Sequence, residues 1–339
     1  MTTQTGHRAP AALPPAPRRA VRAALRAVTL AACVPYLSLK VAWIAGSRIG
    51  IPEGSALRRD GNSLMALNAL TVLMDAAVIA LAFLLTRPWG RRVPSWLLAL
   101  PMWCASGLLA PIVAAFPVQT VAAALRGSKV ADDGAAALLD PWVWSVVYSG
   151  FIVQALALGT LFVLYARERW GHLWRGRIGD LPAGPTRSAR RLAGGAAIAL
   201  ALIPAAMHLL WAAGGTAGLG PERAAVQDFD ARVNDASYVL FAALTVAGVL
   251  MLGYGRGRRV PVLVPLAAAW TGSGALACWG GWLMLTTLNC AAGDPKLPTP
   301  PMNLTYCVQM ITGILVASAG AHFFAERQAG HEAEAARCG

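Results

Sequence analysis

Five polar side chains fall inside otherwise apolar runs, and their types and positions make them the groups best placed to do chemistry. Lys40 stands in Leu39-Lys40-Val41-Ala42-Trp43 and Asp75 in Leu73-Met74-Asp75-Ala76-Ala77. His208 precedes Trp211 by three residues, as Lys40 precedes Trp43. Asn68 and Gln154 complete the set. An ionisable group placed in hydrocarbon costs about 2.5–3.5 kcal/mol on insertion scales, so each needs a partner or a task. A mid-membrane carboxylate can carry a proton or an ion, and a lysine can act as its counter-ion or reach for the headgroups beside a tryptophan. Asp75 is expected to face the bundle interior, either protonated or paired. If it is paired, Lys40 is the natural partner, because the two lie on neighbouring helices at depths differing by about 7 Å. Gln154 is at a similar depth and would close a polar cluster with Asn68 and Ser106. Such a pair can serve a function or only fix helix register.

The elements that must position these residues are membrane helices. The chain has 339 residues, of which 57% are hydrophobic and 13% charged, with a mean hydropathy of +0.54. That composition points to a polytopic membrane protein of all-α class. A span needs about 20 apolar residues, and eight segments approach that length. They are Val28 to Gly46, Leu64 to Leu85, Ser95 to Phe116, Trp142 to Tyr165, Leu192 to Ala213, Ala236 to Gly253, Val262 to Leu288 and Asn303 to Phe324. The formal charge of +13 comes from short basic clusters between these runs, with no groove-reading motif beside them, so nucleic acid is not the expected partner. With both termini cytoplasmic, 20 of the 29 Lys and Arg fall on the inner side and eight on the outer, leaving Lys40 in a helix. This asymmetry predicts an inner (plasma) membrane protein with that orientation. Residues 1–26 read as a disordered cytoplasmic tail, 167–191 as a basic linker facing anionic lipid, and 327–339 as a second tail.

Two segments of the chain repeat each other. Gly90-Arg91-Arg92-Val93-Pro94 matches Gly257-Arg258-Arg259-Val260-Pro261, and Trp103, Ser106, Gly107, Leu109 and Ala110 match Trp270, Ser273, Gly274, Leu276 and Ala277. At nearly the same offset Trp43, Gly46 and Gly50 match Trp211, Gly214 and Gly218, and Lys40 matches His208. The chain therefore reads as two four-helix units, 27–166 and 192–326. An even number of spans per unit makes the two parallel, related by a pseudo-two-fold axis along the membrane normal. Asp75 aligns with Ala242 and Asn68 with Asp235, so the second unit lacks the buried charge pair.

The segment Trp211-Ala212-Ala213-Gly214-Gly215-Thr216-Ala217-Gly218 resembles the signature of a family of small, uncharacterised four-helix bacterial membrane proteins, whose first helix ends in Trp-Ala-x-Gly-Gly-x-x-Gly. The first unit departs from it, with Gly46-Ser47 where Gly-Gly is expected. The resemblance implies tandem four-helix units and no particular activity. A wealth of Ala, Arg, Gly and Pro agrees with a bacterial source of high GC content.

No H-E-x-x-H, G-x-S-x-G or Walker-type motif is present, and His208 and His322 lie at different depths, which argues against a haem. No cofactor and no metal are expected. The six cysteines lack metal spacing, though Cys290 and Cys307 bracket one predicted outer loop and could form a disulfide there. Expected partners are membrane lipids and a small molecule or ion. Three readings follow: a transporter or permease-like subunit for a small solute or ion, an intramembrane enzyme acting on a lipid or isoprenoid, and a structural or regulatory membrane partner.

Overall fold

The structure, a computed structural model, describes residues 16–55, 57, 61–127, 138–181, 184–287 and 297–338. Within them the chain forms α1 (Ala16–Ile44), α2 (Gly61–Thr86), α3 (Ser95–Arg126), α4 (Pro141–Trp170), α5 (Arg187–Ala212), the short α6 (Pro221–Ala225), α7 (Phe229–Tyr254), α8 (Leu263–Thr287) and α9 (Pro300–Cys338). No strand occurs among the described residues. In hydrocarbon, backbone groups must be satisfied internally, and a helix does this within each segment. The same environment tolerates proline inside a helix, and α3 carries Pro101, Pro111 and Pro117.

Seven of the eight long helices are long and apolar enough to cross a membrane. The eighth, α8, has the length, at 25 residues, but its Gly, Ser, Thr and Trp dilute its hydropathy. Those small residues suit its position between α3, α7 and α9. Gly272, Ser273, Gly274 and Gly280 are buried there, so α8 spends its surface on helix contacts.

Helices α1 to α4 pack on one another, α5 packs with α7 and α9, and α8 with α7 and α9; α3 joins the two groups by resting on α7 and α8. At the crossing a Cβ on Gly107 would run into the Gly274 backbone, so glycine on both helices permits the close approach. Reciprocal hydrogen bonds flank it. The Trp103 indole donates to Ser273 Oγ at 3.1 Å, and the Trp270 indole donates to Ser106 Oγ at 2.8 Å.

At the end of the bundle bearing the termini, charged residues close each group. Glu168 pairs with Arg22 at 2.7 Å and accepts from Arg91 at 3.0 Å, while Glu326 pairs with Arg190 at 3.2 Å. Arg22 belongs to α1, which starts at Ala16 and so turns the last part of the expected tail into helix; the expected second tail likewise continues α9. Residues 1–15 lie outside the described residues. The basic linker docks on protein as well as carrying charge: Ile178 N–H donates to Val260 O at 3.0 Å and Gly179 N–H to Arg258 O at 2.9 Å, with Leu173 and Ile178 buried.

The turns after α1 and α5 share one construction. Gly46 and Gly214 have φ of 88° and 92°, and Gly50 and Gly218 have φ of 73° and 82°, a region that favours glycine. The Trp43 and Trp211 indoles close the two turns by donating to Ile49 O and Ala217 O. Gly215 is not among the positive-φ glycines, so Ser47 at the corresponding place costs no left-handed strain.

Candidate functional site

Tyr36, Lys40 and Trp43 follow one another at helical spacing along α1 and so share a face. Lys40 Nζ lies 5.0 Å from the Tyr36 ring centroid and 4.9 Å from that of Trp43, and it donates to Asn68 Oδ1 at 2.8 Å. Desolvated cation–π contacts of this kind contribute up to about 2 kcal/mol. Seven residues along α2, about two turns or 10 Å at the helical rise, Asp75 lies on the same face as Asn68. Its Oδ1 accepts from Gln154 Nε2 at 3.3 Å. Asp75 Oδ2 and Gln154 Oε1 are buried and have no hydrogen-bond partner.

Lys40 and Asp75 do not form the expected ion pair; the ion pairs among the described residues lie elsewhere. Asn68, two turns outward on the same face of α2, intercepts the lysine, and the two rings hold it there. Ser106 is also absent from the cluster, because its hydroxyl is used at the α3–α8 crossing. Three of the predicted residues share one cavity, which neither Asn68 nor His208 lines. Lys40, Asp75 and Gln154 line one cavity of about 520 Å³, within the size range of small-molecule sites. Its walls are mostly apolar and aromatic, with Tyr148 and Phe151 from α4 and, from the other helix group, Trp279 and Trp282 of α8.

The equivalent place in the second group is filled. His208 contacts Asp235 Oδ1 through Nδ1 at 2.9 Å and Gln309 Oε1 through Nε2 at 3.0 Å. Asp235 Oδ2 accepts from Arg223 and from Gln227, each at 3.2 Å. His208, Asp235 and Gln309 are all at most 3% exposed. Asp235 takes the part that Asn68 plays for Lys40, and the short α6 supplies Arg223 to neutralise it.

Sequence reasoning missed Arg223, Gln227 and Gln309, and the aromatic walls of the cavity. Gln309 was findable by the criterion that singled out Gln154, a lone amide inside an apolar run. Nothing in the sequence signals that Arg223 folds back onto a helix. Among the described residues no three His, Cys, Asp or Glu side chains converge to hold a metal. Cys307 has no disulfide among the described residues, and Cys290, its expected partner, lies outside them.

No protein family, curated protein or solved structure matches the chain.

Proposed function

We propose that this integral membrane protein is a transporter or permease-like subunit for a small solute or ion, with the cavity between α1, α2, α3, α4 and α8 as its central site. One observation carries the reading: a buried carboxylate with an unpartnered oxygen lines a solute-sized cavity among apolar helices. A residue kept only for packing would be satisfied, as Asp235 is. Asp75 is the coupling or solute-binding carboxylate, and Lys40 is the second charge of the site.

The proposal includes eight spans with both termini on the cytoplasmic face of the plasma membrane, arranged as two parallel four-helix repeats. The arginine distribution, the reciprocal Trp–Ser hydrogen bonds and the matched glycine turns support it. The likeness to small four-helix bacterial membrane proteins belongs to the same proposal.

The test is uptake into vesicles of purified protein under an imposed proton or ion gradient. Asp75→Asn protein that folds normally is expected to lose gradient-driven uptake; undiminished transport of every solute carried by the wild type rejects the role of Asp75.

A second reading, an enzyme or binder of a lipid or isoprenoid, has its own observation. An apolar cavity of about 310 Å³ beside α5, α7 and α9 shares Arg190, Leu252, Gly253 and Phe323 with an arginine-lined pocket at the terminal end. A chain-and-anionic-headgroup molecule suits that continuity. Turnover of a lipid extract, abolished by Arg190→Gln, would move the assignment there.

A further inference from the structure

The two charges in the cavity are held apart, and that separation constrains what can occupy it. Lys40 uses one of its three donors on Asn68 and faces Tyr36 and Trp43. Asp75 uses one oxygen on Gln154 and leaves the other without a partner. Asp75 is buried and Lys40 is partly so, and no ion pair joins them. A buried charge is costly unless paired and hydrogen-bonded, so the arrangement is completed by a molecule that brings a cation to Asp75 and an anion to Lys40.

Lys40 and Asp75 line one cavity, so both ends of such a molecule must fit within it. A body attached to such a headgroup would lie against Tyr148, Phe151, Trp279 and Trp282, which are apolar or aromatic. A monovalent organic cation would satisfy Asp75 and leave Lys40 unanswered, and an organic anion would do the reverse.

We propose that the cavity binds a zwitterionic amino acid with an apolar side chain, its ammonium on Asp75 Oδ2 and its carboxylate on Lys40 Nζ. This rests on the transport reading for its role, but the site can be tested without it. Three of the cavity's four tryptophans, Trp43, Trp279 and Trp282, adjoin the space where the ligand would sit, so binding is read from intrinsic fluorescence of the full chain in lipid nanodiscs. Phenylalanine is compared with its methyl ester, which keeps only the cation, and with N-acetylphenylalanine, which keeps only the anion.

Each single-charge analogue is expected to bind at least about tenfold more weakly than phenylalanine, the cost of one unpaired charged hydrogen bond. Lys40→Met should bring phenylalanine and its ester to within about threefold, and Asp75→Asn should do the same for phenylalanine and its N-acetyl form. The wild-type series stands by itself if either variant fails to fold. An ester that binds wild type as tightly as the amino acid overturns the proposal, as does the absence of any phenylalanine-dependent change. Binding with this selectivity but without vesicle uptake keeps the site and removes the transport reading. Uptake of some other solute without zwitterion binding does the opposite.

Discussion

Each half of the chain carries a cationic or titratable side chain three residues before a tryptophan, partly buried as Lys40 and fully buried as His208, and the two halves treat it differently. In the second, His208 has an oxygen at both ring nitrogens and Asp235 is held by His208, Arg223 and Gln227, with Gln309 Nε2 the one buried atom of the cluster left without a partner. In the first, Lys40 reaches only an amide and two rings, and Asp75 keeps an oxygen without a partner beside a cavity. One carboxylate is a strut with both oxygens held, and the other faces an open socket. The difference teaches that equivalent positions need not carry equivalent roles: a carboxylate with both oxygens held fixes packing, and one with a free oxygen leaves binding energy for something else.

Mutations can break this contrast. The largest effect is expected from Asp235→Ala, which leaves Arg223 and His208 without their carboxylate; about 3–5 kcal/mol of stability should go, read as a large fall in melting temperature or loss of folded protein in detergent. Next comes Gly107→Val, where the new side chain meets the Gly274 backbone; about 1–3 kcal/mol and a loosened α3–α8 crossing are expected, checked by protease sensitivity. Trp103→Phe and Trp270→Phe each remove one of the reciprocal indole donors and should cost about 1 kcal/mol apiece. Unequal losses there would weaken the pseudo-symmetric reading of the crossing. The smallest stability change is expected for Asp75→Asn, below about 1 kcal/mol, since the new amide retains an oxygen for Gln154 and a charge without a full complement is removed. A destabilisation as large as that of Asp235→Ala would make Asp75 a strut too and erase the distinction.

Much of the fold was legible because membrane helices announce themselves by length and apolarity. Each of the eight predicted segments contains a long helix, with Gly46, Ala213 and Val262 at their ends in turns, and the structure lengthens several: α3 continues to Arg126 and α9 to Cys338. Hydropathy marks the hydrocarbon boundary, while a helix continues until its chain meets a turn, which is why Gly127 and Gly255 end α3 and α7 in left-handed caps. Of the site, Lys40, Asp75, Asn68 and Gln154 were legible as polar residues in the wrong solvent. Their pairing was not. Depth along a helix can be counted from sequence, but the rotation that turned Lys40 toward Asn68, and the rings that hold it there, depend on packing between helices.

The sequence by itself determined that the chain is a helical membrane protein, which side chains would be stranded in its interior, and where two stretches repeat. These follow from local composition and period, which do not depend on distant neighbours. Only the tertiary structure decided that Asp75 keeps a free oxygen, that Asp235 keeps none, and that tryptophans of α8 wall a cavity belonging mainly to the first four helices. Those outcomes depend on helix rotation and on contacts between different helices, and no local pattern encodes either.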